Sequence, residues 1–187
     1  MLIPLLVILG VVVLVIVIIA AMYNSLVAAK KMVENAWSQI DVQLKRRYDL
    51  IPNLLETVKG YAKHEAGVME KVTEYRSAAM QVPSGDTGAK IAAENQLTGA
   101  LKGLMVQMEA YPDLKANTNF LALQEELTST ENKISFARQH YNDTATNYNT
   151  AIALFPKNII ANIFNFRTSE LWQITDATER QVPKIQF

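Results

Sequence analysis

The sequence predicts an all-α protein, with an N-terminal transmembrane helix followed by an antiparallel four-helix bundle whose first and last helices are long. Three observations predict this fold class. Residues 2–22 carry no charge, apolar residues recur with helical spacing through the rest of the chain, and Gly and Pro concentrate in a few short stretches. We divide the chain into a transmembrane anchor (1–23), an antiparallel helical bundle (24–156), and an amphipathic C-terminal segment with its tail (157–187).

The uncharged stretch 2–22 has the length of a membrane span. About twenty residues at a rise of about 1.5 Å each cover the roughly 30 Å hydrocarbon core of a bilayer. A cleaved signal peptide is the alternative, but it usually has a basic beginning and a shorter apolar core, and this stretch has neither. No Lys or Arg precedes the span, whereas Lys30 and Lys31 follow it closely. The positive-inside rule therefore predicts a single-pass protein with its N-terminus outside and its bundle in the cytoplasm.

Composition and motifs limit the functional classes. The formal net charge is +0, so the chain lacks the basic surplus typical of nucleic-acid binding, and it contains no cysteine for disulfides or thiolate metal sites. The stretch at His64 begins like the HExxH helix of a zinc protease, but position 68 is Val where the second His is required. We therefore expect no enzymatic activity, no catalytic residues, no metal site and no cofactor.

Rows of residues seven positions apart mark the two long helices of the bundle. The row of the last helix is Phe120, Leu127, Ile134, Tyr141, Tyr148 and Phe155, and the row of the first is Leu26, Val33, Ile40, Arg47, Leu54 and Tyr61. Two shorter amphipathic helices lie between them, separated by turn-rich stretches at 82–88 and 111–117. Short connections predict an up-down-up-down bundle. The alternative is a three-helix bundle in which the first two segments fuse through residues 60–67.

Arg47 interrupts an otherwise apolar row. If the first and last helices are antiparallel neighbours with Leu26 beside Phe155, then Arg47 falls beside Ile134, within a turn of Glu131. An unpaired buried charge costs several kcal/mol, so we hypothesise that Arg47 or Arg46 pairs with Glu131. The alternative is that Arg47 extends to the edge of the bundle and contributes little to stability.

Pro52 lies five residues after Arg47 in the same predicted helix. Its missing N–H leaves the carbonyl of Tyr48 without a helical donor, and its ring crowds that carbonyl. We expect Pro52 to kink the helix or to mark a fresh first turn, and a kink would let the helix wrap around its neighbours.

The segment after Pro156 is short and strongly apolar, with Lys157 and Arg167 at its borders. The fourth helix of an up-down-up-down bundle returns toward the bilayer, so we hypothesise that this segment meets the lipid surface. The alternative is that its apolar residues cap the open end of the bundle or pack against it. The candidate membrane-contact residues are Lys30, Lys31, Ile159, Ile160, Ile163, Phe164 and Phe166.

Four stretches together resemble the LemA family of bacterial membrane proteins. They are RRYDLIPNLLETVKGYAKHE, YPDLKANTNFLALQEELTSTENKISFARQHYND, YNTAIALFP and the final VPKIQF. The resemblance implies an N-terminal transmembrane helix in the bacterial cytoplasmic membrane and a mainly cytoplasmic antiparallel helical bundle. It implies no defined biochemical activity, and the associations that it suggests are with membrane metalloproteases of the HtpX type and with envelope stress.

Two hypotheses for function follow. The favoured one is a non-catalytic, membrane-anchored scaffold or adaptor that presents its bundle to membrane-protein partners such as an HtpX-type protease. The alternative is a lipid-binding, self-assembling protein that organises or remodels the membrane. The expected partners are therefore membrane lipid, further copies of the chain in a homo-oligomer and a membrane protease, but not nucleic acid.

Overall fold

A computed structural model describes residues 2–62, 65–83 and 85–173 of the chain. The regular elements in these ranges are all helices: α1 Leu2–Lys59, α2 Ala66–Gln81, α3 Thr87–Met108, α4 Pro112–Lys115, α5 Thr118–Ala153 and α6 Lys157–Ile163. The all-α class and the helical bundle with long first and last helices are confirmed. Because α1 ends before α2 begins, the alternative in which these two segments fuse into one helix does not occur.

Helix α1 begins with the apolar stretch and continues through the predicted boundary at residue 23 without a break. Within the described part of the chain it is the helix long and apolar enough to cross a membrane. Its large apolar side chains from Leu2 to Ile19 are all exposed, from 39% at Ile19 to 77% at Ile3. So much exposed apolar surface is unfavourable in water and favourable in hydrocarbon. A membrane anchor and a signal sequence share these properties.

The chain forms two compact units. One consists of Met1–Ile40 and Ala137–Leu171, and the other of Asp41–Phe136 and Trp172–Phe187. The core of the first unit comes from α1, α5 and α6 and includes Leu26, Val33, Ile40, Tyr141, Tyr148 and Ile160. The core of the second includes Leu44, Ile51, Leu54, Val72, Leu97, Leu104, Phe120, Leu127 and Ile134. Each such side chain contributes roughly 1.5–3 kcal/mol by leaving water.

The predicted apolar rows are buried along the helices but end sooner than expected. Phe155 is 78% exposed and Tyr61 is 42% exposed, although both were expected to continue their rows. The physical reason is that α5 ends at Ala153 and α1 at Lys59, so neither residue keeps the helical spacing that places a row on one face. Leu26 packs against Ile160 and Ala161 of α6 and not against Phe155.

Helix α6 ends in a turn that reverses the chain onto the first unit. Asn165 has φ 61°, in the left-handed region that Asn tolerates better than most residues. The backbone N–H of Phe166 donates to the carbonyl of Ala161 at 2.9 Å, and that of Asn165 donates to Asn162 at 3.4 Å. This is the hydrogen-bond pattern of a Schellman motif. It brings Phe166 back against the cluster around Leu26.

Residues 166–173 form an irregular segment, which we call the strap, and polar side chains hold it. In the first unit the hydroxyl of Tyr148 donates to the carbonyl of Arg167 at 2.9 Å, and that of Tyr141 donates to the carbonyl of Glu170 at 2.7 Å. Asn149 donates to the carbonyl of Ser169 at 2.9 Å and accepts from its N–H at 2.8 Å. The strap was not expected from the sequence, because its hydrogen-bond partners lie on another helix, α5.

Candidate functional site

Arg47 is the centre of a polar network inside the second unit. Its side chain extends from α1 and the residue is 1% exposed. Nη1 donates to Glu131 Oε1 of α5 at 2.8 Å and to Thr98 Oγ1 of α3 at 2.9 Å, while Nη2 donates to Glu94 Oε2 of α3. The structure thus brings Arg47 and Glu131 together. The alternative placement of Arg47 at the edge of the bundle does not occur.

Glu94, which the sequence reasoning missed, is the most deeply buried acid of the network. It is 0% exposed, and its Oε1 accepts from the Tyr48 hydroxyl. Glu131, by contrast, keeps 32% of its side chain accessible. A signal for Glu94 was present, because Glu94, Leu101 and Met108 are each seven positions apart and the other two are buried. A charge in an apolar row therefore marks both partners of the ion pair.

The surroundings of Glu94 act on its pKa in opposite directions. Burial has the largest effect and raises the pKa of the carboxyl, and the negative charges of Glu131 and Asp41 act in the same direction. The charge and hydrogen bond of Arg47 lower the pKa and offset part of the rise, so the resulting pKa is about 7, above the ordinary value of 4.5. The guanidinium is thus shared between two acids, and Glu94, the more buried of them, has a raised pKa.

Lys90 adds a second cation next to Glu94 and links α3 to two other helices. Its Nζ lies 3.6 Å from Glu94 Oε1, donates to the carbonyl of Ala79 at 2.7 Å, and lies 5.2 Å from the centre of the Tyr48 ring. Burial lowers the pKa of the Lys90 ammonium. The arrangement holds α1, α2, α3 and α5 in one register, because a shift of any of these helices would leave a buried charge or donor without its partner.

Pro52 lies inside α1, which continues through it as one helix. The alternative of a fresh first turn therefore does not occur, and a kink at Pro52 stays a prediction. The carbonyl of Tyr48, which Pro52 deprives of its helical donor, accepts instead from Arg76 Nε of α2 at 2.8 Å. Arg76 is a second residue that the sequence reasoning missed, since nothing in the chain pairs it with residue 48 before the fold is known.

Arg46 differs from its neighbour Arg47. It pairs with Glu126 and not with Glu131, and the side chains of Arg46 and Glu126 are 47% and 38% exposed. Exposed ion pairs of this kind contribute little to stability, typically below about 1 kcal/mol. Arg47, and not Arg46, is therefore the arginine that matters for the core.

The candidate membrane-contact residues divide into two groups. Lys30, Lys31, Ile159, Ile163 and Phe164 are exposed. Ile160 is 5% exposed and Phe166 is half-buried against the cluster around Leu26, so these two side chains lie on the packed side of the segment. The reason is that α6 has two faces, and only one of them packs on α1. Because consecutive apolar residues lie on both faces, the sequence does not show which of them face α1. Lys31 also contacts Glu34, with 2.5 Å between Nζ and Oε2, and this contact lowers the pKa of Glu34.

A groove of about 840 Å³ lies in the second unit between the last turns of α1 and the first turns of α2. Pro52, Leu55, Ala66 and Met69 supply apolar surface. The polar residues along it are Glu56, Lys59, Glu70, Thr73 and Glu74. Three acids and one base give the groove a negative balance.

Residues 2–62, 65–83 and 85–173 contain no group of three or more His, Cys, Asp or Glu side chains placed to hold a metal ion. His64, which begins the incomplete HExxH pattern, lies outside these ranges.

Comparison with known proteins identifies the family. The LemA family model matches residues 36–187. Protein LemA of Metamycoplasma hominis is 29% identical over 157 residues, which cover 81% of this chain and 71% of the relative. Magnetosome protein MamQ 2 of Paramagnetospirillum magneticum is 24% identical over 175 residues, which cover 81% of this chain and 64% of the relative. Magnetosome protein MamQ of Magnetospirillum gryphiswaldense is 23% identical over 172 residues, which cover 79% of this chain and 63% of the relative.

The present chain thus spans less than two thirds of the length of these two magnetosome relatives. The family model, in contrast, matches well over half of the chain. The protein belongs to the LemA family.

Proposed function

We propose that the protein is a non-catalytic, membrane-anchored adaptor that presents its helical bundle to membrane-protein partners. Its N-terminus lies outside the bacterial cytoplasmic membrane and its bundle lies in the cytoplasm. The observation that carries the proposal is the continuity of α1, in which the apolar stretch, Arg47 and one wall of the groove belong to a single helix. A partner that binds the groove is therefore tethered to the membrane by the helix that it contacts.

The groove supports a particular kind of partner. Its apolar surface at Leu55 and Met69 is bordered by Glu56, Glu70 and Glu74. An amphipathic segment with apolar and basic side chains complements both features. Cytoplasmic segments next to membrane spans are rich in Lys and Arg, so membrane proteins supply such segments close to where this chain is anchored. A membrane metalloprotease of the HtpX type is the candidate partner, and envelope stress is the setting in which it would act.

The network around Arg47 gives the presenting surface a fixed register. Tyr48 contacts Glu94 through its hydroxyl and Arg76 through its carbonyl, so α1 is joined to α3 and α2 just before the groove begins at Pro52. Buried polar contacts of this kind specify one arrangement of helices, which a plain apolar seam does poorly.

Site-specific photocrosslinking in cells tests the adaptor function. A benzophenone side chain replaces Met69 in the groove of the full chain, and the matched control carries it at Val106, an exposed apolar residue of α3. We expect a discrete adduct with a co-expressed HtpX-type protease from Met69 and none from Val106. Equal adducts at both positions would show contact without a docking surface, and no adduct at Met69 would rule out the groove as the contact.

The orientation has its own test, because the chain contains no cysteine. A single Cys replaces Val106, which is 67% exposed. We expect an impermeant maleimide to label this Cys only after permeabilisation of the cells. Labelling of intact cells would place the bundle outside and would remove cytoplasmic partners from the proposal.

A second candidate function is organisation of the membrane by self-assembled copies of the chain. The observation that favours it is the apolar surface exposed from the end of α5 to the end of α6, where Phe155 and Ile163 are 78% and 69% exposed. Full-length protein in vesicles distinguishes the two candidates. Homo-oligomers that change vesicle shape without any partner favour the second function, whereas unchanged vesicles favour the adaptor.

A further inference from the structure

The α5–α6 junction and helix α6 expose large apolar side chains, which we call the corner patch. It consists of Leu154 (59% exposed), Phe155 (78%), Ile159 (49%), Ile163 (69%) and Phe164 (51%). The other side of α6 is packed, since Ile160 and Ala161 are only 5% and 3% exposed. Several large apolar side chains left exposed beside a packed core indicate an interaction site.

The corner patch is attached to α1 where the apolar stretch of that helix ends. The ring centres of Phe164 and Tyr23 are 4.8 Å apart, and those of Phe166 and Tyr23 are 5.8 Å apart. Lys157 Nζ donates to Ser25 Oγ at 2.9 Å. One residue further along α1 than Ser25, Leu26 packs against Ile160. All these partners follow directly on residues 2–22, so the patch lies at the level at which a span formed by those residues meets water.

We infer that the corner patch inserts into the headgroup and upper acyl region of the leaflet in which the α1 span ends. The inference rests on one part of the proposed function, namely that residues 2–22 cross the bilayer. An apolar patch held beside the end of a span reaches lipid without any rearrangement of the chain. The aromatic ring of Tyr23 and the cation of Lys157 are of the types that favour the boundary between lipid and water.

The residues of this second membrane contact differ from those that the sequence indicated. Leu154 and Phe155 join it, because α5 has ended before them, whereas Ile160 is buried and Phe166 is half-buried in the cluster around Leu26. Two lipid contacts, one through the span and one through the corner, would fix the tilt of the first unit relative to the bilayer. A single span leaves that tilt free to vary.

Depth-dependent fluorescence quenching tests the inference on the full chain in vesicles. Single Cys residues carrying a bimane label replace Ile163 in the patch, Val15 in the span and Met32 on α1. Met32 is the matched control because it is apolar, 56% exposed and in the same unit. It lies ten residues beyond Met22, or about 15 Å along the helix. Phe155→Cys provides a second, independent position in the patch.

We expect lipids brominated on shallow acyl carbons to quench the label at Ile163 and Phe155 more than about twofold, because an interfacial segment lies about 5–10 Å into the boundary. The label at Val15 is quenched and the label at Met32 is not. Quenching at Val15 without quenching at Ile163 and Phe155 would overturn the inference and leave the anchor in place. No quenching at Val15 would overturn the anchor, and the inference with it.

Quenching by soluble iodide shows whether lipid or protein covers the corner patch. If neither brominated lipid nor aqueous iodide quenches the labels at Ile163 and Phe155, protein covers the patch. A second copy of the chain is then the occupant, and the insertion into lipid is wrong. With insertion, iodide quenching at Ile163 falls when the protein is moved from detergent into vesicles, while that at Met32 does not.

Discussion

Arg76 Nε donates a 2.8 Å hydrogen bond to the carbonyl of Tyr48, which is the carbonyl that Pro52 leaves without a helical donor. A proline in the interior of a helix costs roughly 3 kcal/mol, partly because the carbonyl four residues earlier loses its hydrogen bond. Here a side chain of α2 supplies the missing donor. The defect in α1 thereby becomes a contact between two helices beside the groove.

The first prediction concerns this contact. Arg76→Met should lower the free energy of unfolding by about 1.5–3 kcal/mol, the usual contribution of a hydrogen bond to a charged group. In a Pro52→Ala background the backbone N–H of residue 52 can satisfy Tyr48, so the same substitution should cost less. Chemical denaturation of the full chain in detergent, followed by circular dichroism, measures all four members of the cycle. Equal costs in the two backgrounds would show that Arg76 does not act through the carbonyl.

The second prediction separates the two acids that share Arg47. Glu94→Ala should lower the free energy of unfolding by about 3–5 kcal/mol, because it leaves a buried guanidinium short of its main partner. Glu131→Ala should cost less, since Glu131 keeps 32% of its side chain accessible and water can replace it. Glu125→Ala, an exposed change on the same helix, is the control for lost helix propensity. A cost for Glu131→Ala no larger than that for Glu125→Ala would show that the Arg47–Glu131 pair contributes nothing to stability.

The third prediction concerns pH. The folded-state pKa of Glu94 is about 7, above its ordinary value of 4.5. Between these values the folded chain binds more protons than the unfolded chain, so the contribution of this group to stability is greatest below about pH 4.5. That contribution falls as pH rises toward 7 and stays level above it. Each pKa unit corresponds to about 1.4 kcal/mol, so the fall is on the order of a few kcal/mol.

Denaturation of the wild type and of Glu94→Gln from pH 5 to pH 8 measures this contribution as a difference between the two proteins. The variant cannot titrate at residue 94, so the stability of the wild type relative to the variant should decrease with pH. Glu125→Gln is the control and should follow the wild type. A difference that stays constant would mean that Arg47 keeps Glu94 ionised over the whole range.

The fourth prediction concerns the strap. Tyr148→Phe and Tyr141→Phe each remove a hydroxyl that donates to a strap carbonyl, and burial raises the pKa of both hydroxyls, so they remain protonated donors at neutral pH. Each substitution should cost about 1 kcal/mol and speed amide exchange in residues 166–171. Tyr75→Phe in α2 is the control for removing a hydroxyl elsewhere. Unchanged exchange in the strap would show that packing alone holds it.

The spacing of apolar residues and the composition of the chain were sufficient to predict much of the fold. The uncharged residues 2–22 indicated the apolar helix, and the seven-residue rows gave the buried faces of α1 and α5. Arg47 was recognisable because a charge in an apolar row requires a partner. The ends of the rows at Phe155 and Tyr61 were not predictable in the same way. The seven-residue spacing of apolar residues continues in the sequence beyond the point at which the helix ends.

The sequence by itself determined that α1, α2, α3 and α5 are helical, which face of the two long helices is apolar within the bundle and which charge is out of place. The tertiary structure decided what lies opposite that face: Glu94 and Thr98 beside Arg47, Arg76 beside the carbonyl of Tyr48, and Ile160 beside Leu26. The physical reason is that helical periodicity is a local property of one segment. The packing of the whole unit decides which helices are neighbours and how each helix is rotated. The hydrogen bonds that satisfy buried polar groups exist only after that packing has formed.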